Sequence, residues 1–295
     1  MKVRGIDVSR YQGNIDFNAV KASGIKFVII QAGYGRYISQ KDPWFESNYK
    51  RAKAAGLDVG VYWYSYAKSS SEALQEAEVC LQAIKGKQFE YPVYLDIEEP
   101  SQFACGKTIC SQIVEAFCER LQNAGYFAGW YTYRAAIPYF TDSVQKKYTL
   151  WIAEYANSCA YKGAGVVDIW QDTSSLRVAG INGNVDANYC YRDFPSIIKD
   201  GGFNNFPKSV KKKPEADKVK TDEKKSTEEK KTDVKKPEEK KKSTDEKKSV
   251  NEKTDEKTDE KKSDAFMRGD VNGDGKINVT DVVKLAAHIK GKKLL

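Results

Sequence analysis

Up to about residue 206 the chain alternates between two hydrophobic rhythms. Short runs rich in Val, Ile, Tyr and Phe read as strands. Stretches with apolar residues three and four apart read as the helices between them. Residues 3–9 form a first strand carrying Asp7. A turn at Tyr11, Gln12 and Gly13 follows, and Asp16 caps a helix over 17–23. Residues 26–33 are apolar on both faces, as in a parallel sheet covered on both sides. Helices over 44–55, 71–85 and 108–123 then alternate with strands over 58–66, 91–98 and 127–133. Gly56, Gly86 and Gly125 mark the helix ends. A short helix is expected over 134–140. Beyond it the rhythm changes, and strands over 149–155, 166–171 and 185–191 succeed one another with little or no helix between. Five βα units and three further strands predict an α/β domain over 1–206 built on a parallel sheet. Eight strands can close as a modified TIM-like barrel, and a doubly wound open sheet is the alternative.

The pattern then stops. Residues 207–264 are Lys, Glu, Asp, Thr and Ser with almost no apolar positions. Such a stretch cannot offset its ordering entropy and reads as a disordered charged linker. Residues 265–295 read as a partial EF-hand-like segment. Asp270, Asn272, Asp274 and Asp281 offer side-chain oxygens at positions 1, 3, 5 and 12 of a loop with Gly275 at 6. Lys276 would add its backbone carbonyl at position 7. That spacing predicts Ca2+ binding, with a helix over 282–290 behind the loop; a plain polar turn is the alternative.

Charge narrows the function. The net charge is +8, but residues 1–206 carry only about +1, the linker about +4 and the tail about +3. A nearly neutral folded part gives no support for nucleic acid as a partner. No apolar run is long enough to span a membrane. No signal peptide is visible, so an exported protein would have lost one. The six cysteines include no C-x-x-C pair, which argues against zinc. Cys105 and Cys110 could bridge in an exported protein, or all six could be reduced thiols.

The only histidine, His288, lies in the tail. No Ser-His-Asp or Cys-His site can therefore form in the main domain, and acid/base chemistry there must fall to carboxylates. The run 91–100, Tyr-Pro-Val-Tyr-Leu-Asp-Ile-Glu-Glu-Pro, supplies them. On a strand, Asp96 and Glu98 share a face, with Cα atoms about 6.5–7 Å apart. Asp7 falls at the end of the first strand, and Asp186 lies on the last, which would close beside it. In a barrel these four acids converge on one mouth, at the strand ends where active groups sit. The bland alternative is a set of acids facing water.

Several motifs in order carry a resemblance. They are Gly5-Ile-Asp7-Val-Ser9 with Gln12-Gly13, Gly60-Val-Tyr62-Trp-Tyr64, Tyr94-Leu-Asp96-Ile-Glu98, Leu150-Trp-Ile-Ala153, Ile169-Trp-Gln171 and Val185-Asp186-Ala-Asn188. Residues 1–206 resemble the family 25 glycoside hydrolases, the lysozymes of bacteria and phages. The resemblance implies a barrel of five βα units and three strands. It also implies cleavage of the β-1,4 bond between N-acetylmuramic acid and N-acetylglucosamine in peptidoglycan, without a catalytic cofactor. By position Glu98 resembles the general acid and Asp96 its stabilising partner, with Asp7 and Asp186 lining the site. Tyr62, Tyr64, Tyr131, Trp170 and Gln171 are candidates for sugar contacts, against a reading as core or wall. A family 18-like chitinase or endo-N-acetylglucosaminidase is one alternative, since family 18 chitinases share a D-x-E strand end, but their motif would need an acid at Tyr94. A wall-binding module without catalysis is the other alternative. Residues 265–295 resemble the first repeat of a type I dockerin, which implies calcium and, in a complete two-repeat module, a cohesin partner. A secreted or cell-surface monomer, truncated after one repeat, is the resulting expectation.

Overall fold

The computed structural model describes residues 2–208. The linker from 209 onward and the calcium-loop residues Asp270, Asn272, Asp274, Lys276 and Asp281 lie outside the described residues. The described part contains β1 (Val3–Val8), α1 (Phe17–Ala22), β2 (Phe27–Tyr34), α2 (Phe45–Ala54), β3 (Asp58–Tyr64), α3 (Ser70–Ile84) and β4 (Val93–Asp96). It continues with α4 (Pro100–Phe103), α5 (Lys107–Asn123), β5 (Ala128–Tyr133), α6 (Asp142–Lys147), β6 (Thr149–Ala153), β7 (Val167–Leu176), β8 (Val185–Cys190) and α7 (Phe194–Gly201).

The eight strands close into a barrel in sequence order, which removes the open-sheet alternative. Neighbours from β1 to β7 are parallel. The parallel order expected from the βα units ends at β8, which is antiparallel to both β7 and β1. Connection length gives the reason. Only residues 177–184 join β7 to β8, too few for a crossover but enough for a turn back. The reversal matters, because it puts the beginning of β8, and Asp186 with it, at the C-terminal ends of the other strands.

Alternation along each strand sorts two cores. Outward-facing Ile6, Val8, Val28, Ile30, Val61, Leu95 and Ile152 pack with the helices. Inward-facing Phe27, Ile29, Tyr94, Tyr131, Trp151 and Ile169 fill the barrel. The aromatic filling leaves no room on some neighbours. A Cβ on Gly5 would lie 2.3 Å from the Phe27 ring, so only glycine fits there.

Three helices went unpredicted: α4, α6 and α7. The expected helix over 134–140 is a 3-10 turn, Arg134–Tyr139, with Pro138 inside it. α7 closes the end of the barrel away from the mouth. Asp193 caps it, and Phe194 packs against Tyr91 at 5.6 Å. Asn204 then binds the chain back, donating to the carbonyls of Phe89 and Tyr91 at 2.9 and 3.0 Å. All six cysteines are free thiols, Cys105 and Cys110 included.

Candidate active site

The four acids meet at the mouth. Asp7 on β1 stands in register opposite Asp186 on β8. Asp96 is the last residue of β4, and its neighbours in register are Tyr64 on β3 and Tyr131 on β5. Glu98 is not on the strand, contrary to expectation. β4 stops at Asp96, because the chain turns towards Pro100 and α4. The backbone of Ile97 still donates to the Tyr131 carbonyl at 3.0 Å, and that of Glu99 to the Gln102 side chain at 3.1 Å. These bonds hold Glu98 over the mouth, half-buried.

Asp7, Tyr62, Tyr64, Asp96, Glu98, Tyr131, Gln171 and Asp186 line one cavity of about 240 Å³, together with Tyr11, Gln31, Trp151 and Tyr155. Asp7 Oδ2 accepts from Gln171 Nε2 at 3.0 Å and from Asn188 Nδ2 at 2.8 Å. Asn188 in turn accepts from the Trp151 indole at 2.8 Å. The hydroxyls of Tyr131 and Tyr155 each donate to Gln171 Oε1 at 3.1 Å. Tyr64 donates to Glu99 at 2.6 Å. Trp151 forms an aromatic floor, 4.5 Å from Tyr131 and 6.2 Å from Tyr62.

Of the residues named from the sequence, Trp170 alone among those described stays outside this cavity. Side chains alternate along a strand, so Trp170 and its neighbour Gln171 cannot both face the mouth. Gln171 does; Trp170 is buried on the outer face beside Tyr189, with its indole on the Glu154 carbonyl at 2.8 Å. The sequence reading missed Tyr11, Gln31, Trp151, Tyr155 and Asn188. Asn188 was detectable, since it lies two residues from Asp186 and so on the same face.

Burial dominates the electrostatics. It pushes Asp7 up to about 8, helped by the charge of Asp186 and opposed by the bonds from Asn188 and Gln171. Asp96 is held well above the ordinary carboxylate range by burial, then by Glu98 and Asp7. Glu98 is raised by burial and by Glu99, against a lowering contact from Tyr131. Asp186 is raised by burial, with its bond to Asp7 opposing. The cluster thus holds protons at pH values where exposed carboxyls have lost them. One acceptor in it, Asp96 Oδ1, is buried with no hydrogen-bond partner among the described residues.

The acid cavity is the middle of a groove. On one side a cavity of about 410 Å³ shares Glu98, Tyr131 and Tyr155 with it. On the other a cavity of about 290 Å³ shares Tyr11, Gln31 and Tyr64. An aromatic-walled groove with paired carboxyls at its centre suits an extended sugar chain that is cut inside the groove. A further cavity of about 390 Å³, beside Thr149 and Arg192 at the start of β6, contains none of the four acids.

Residues 6–181 match the family described as glycosyl hydrolases family 25. The chain is 34% identical over 186 residues to the autolytic lysozyme of Clostridium acetobutylicum, covering 62% of this chain and 54% of that one. It is thus similar to little more than half the length of that relative. Similarity to lysozyme M1 of Streptomyces globisporus is 31% over 206 residues, covering 63% and 67%. Among solved structures, the bacterial lysozyme of Streptomyces coelicolor superposes with a TM-score of 0.59 at 25% identity, covering 70% of this chain and 98% of that one. The barrel, its acid-lined mouth and the match over most of the domain agree: the chain belongs to glycosyl hydrolase family 25.

Proposed function

We propose that residues 1–206 form an N-acetylmuramidase. It cuts the β-1,4 bond between N-acetylmuramic acid and N-acetylglucosamine in peptidoglycan, without a catalytic cofactor. One observation carries this reading. Glu98, with its pKa raised, reaches into the centre of the groove beside the more deeply buried Asp96. A raised carboxyl open to the groove is the group able to donate a proton to a leaving sugar oxygen.

Asp96 would stabilise the charge that develops on the cleaved sugar. Its unpartnered Oδ1 suits an N-acetyl amide N–H, which favours a route in which the substrate's own acetamido group takes part. Asp7 and Asp186 complete the wall, and Tyr62, Tyr64, Tyr131 and Gln171 offer sugar contacts. Lysozyme and autolysin relatives support work outside the cell or at its surface. No helix among the described residues is long and apolar enough to cross a membrane. A monomer suffices, because one chain supplies the whole mouth.

Digestion of purified peptidoglycan, followed by mass spectrometry of the fragments, tests the reaction. New reducing-end N-acetylmuramic acid supports it, and reducing-end N-acetylglucosamine refutes it. Product anomers followed by NMR test the route, and an inverted first product excludes acetamido participation. For the tail we propose weak calcium binding through Asp270, Asn272, Asp274, Asp281 and the Lys276 carbonyl, strengthened by a second repeat that would also take a cohesin. Calcium titration with and without residues 265–295 tests it, and equal uptake by both forms refutes it.

A further inference from the structure

Two arginines flank the acid cavity, and their states differ. Arg134, on the side shared with Glu98, is committed to Glu154 at 2.6 Å. Arg10, on the other side, takes part in none of the ion pairs among the described residues. The one carboxylate in its cavity, Asp42, forms no ion pair with the guanidinium, though the two charges still interact at longer range. Its oxygens accept from the backbone N–H of Arg10 at 2.9 Å and of Trp44 at 2.8 Å. The guanidinium lies 5.2 Å from the Tyr11 ring and 5.9 Å from the Tyr34 ring, makes a long bond, 3.3 Å, to the Tyr11 hydroxyl, and also interacts with the Tyr34 side chain.

The backbone beneath it is fixed. Ser9 and Gln12 cap the 3-10 turn Arg10–Gln12 reciprocally, Ser9 N–H reaching Gln12 at 2.8 Å. Asp42 holds the turn to the start of α2. Arg10 is therefore a forked donor on a rigid turn, with aromatic rings beside it and, among the described residues, no carboxylate in direct ion-pair contact. It stands at the end of a groove whose centre carries four carboxyls.

The geometry points to Arg10 as a specificity-determining residue that binds a carboxylate on the glycan, one cavity away from the cleaved bond. This rests on the muramidase reading and deepens it. A guanidinium clamps a carboxylate through two parallel N–H donors, which an amide or hydroxyl cannot reproduce. The acids at the centre repel an anionic strand, so an unpaired cation in the adjoining cavity gives such a strand both its affinity and its register. The same groove without Arg10 would favour neutral amino-sugar polymers. The carboxylate has two sources of one chemistry: the lactyl group of a peptide-free strand, or the stem peptide of a substituted one.

The test is binding to the full chain carrying Glu98→Gln, so that strands are not consumed. Three glycans are titrated: peptide-free strands with lactyl carboxylates, strands bearing stem peptides, and peptide-free strands whose carboxyls have been converted to methylamides. The parent should bind one or both carboxylate forms about tenfold or more tighter than the methylamide form. The form preferred identifies the source. Adding Arg10→Gln should abolish the preference, and Arg10→Lys should retain part of it. A preference that survives Arg10→Gln, or a parent that shows none, overturns the assignment. Wild-type turnover of the same strands is read separately. Absence of new reducing-end N-acetylmuramic acid defeats the muramidase reading, while the binding series still decides the role of Arg10.

Discussion

The same strands build two unlike regions. On the outer face of β1 and β4, Ile6, Val8, Val93 and Leu95 join an apolar layer under the helices. One residue away on the inner face, Asp7 and Asp96 are as buried as that layer, yet carry carboxyls pushed far above their ordinary pKa. Burial stabilises the first region and strains the second. Apolar groups gain by leaving water, whereas charged groups lose hydration that a few donors replace only in part. The outer layer supplies the stability that holds the mouth together.

Removing chemistry without removing structure should separate the two most sharply. Glu98→Gln is expected to lower kcat by about 10²–10⁴-fold on peptidoglycan, with the melting temperature unchanged or raised. Near-full activity would take Glu98 out of its role. The converse change acts on the outer layer. Leu95→Ala should cost about 2–5 kcal/mol of stability by leaving a cavity, read as a fall in the denaturant midpoint, with the pH dependence of activity unaltered. A cost no greater than that of a surface substitution would mean the layer is not what holds the barrel.

Asp7→Asn probes both regions at once. Asp7 is raised to about 8, above its unfolded value, so its contribution to stability is complete below about pH 4 and lost as pH rises through 8. Both donors to Asp7 use Oδ2, and an asparagine oxygen can accept them. The variant should therefore be about 1–3 kcal/mol more stable than wild type at pH 8, equal to it near pH 4, and less active throughout. Loss of stability at pH 8 would show that Asp7 is a structural anchor. The smallest effect is expected at Trp170. Trp170→Phe should leave KM for peptidoglycan within about twofold, since the ring faces away from the groove. A larger rise in KM would return Trp170 to the sugar-binding surface.

Much of this division is legible in the amino-acid sequence. Period-two alternation places Asp7 and Asp96 on one face, and the change of rhythm after 140 marks the three helix-poor strands. The same rule excludes either Trp170 or Gln171 from the mouth, because adjacent strand residues face opposite ways. α7 carries its own signals, a capping Asp193, Pro195 and Gly202, but its eight residues hold too short a pattern to stand out. What stays hidden depends on distant contacts. Asn188 reaches Asp7 across 181 residues because β8 reverses and closes on β1. Glu98 hangs beyond its strand on bonds from Ile97 and Glu99. Whether Arg10 or Arg134 is free follows from where Glu154 falls, which no local pattern records.

The direct test of Glu98 as the acid is leaving-group dependence. Wild type and Glu98→Gln are compared on peptidoglycan strands and on an aryl glycoside whose phenolate departs without a proton. If Glu98 donates the proton, the variant loses about 10²–10⁴-fold on strands but stays within about tenfold of wild type on the aryl glycoside. An equal loss on both substrates would contradict the account, because Glu98 would then serve binding or a later step and the proton would come from another group.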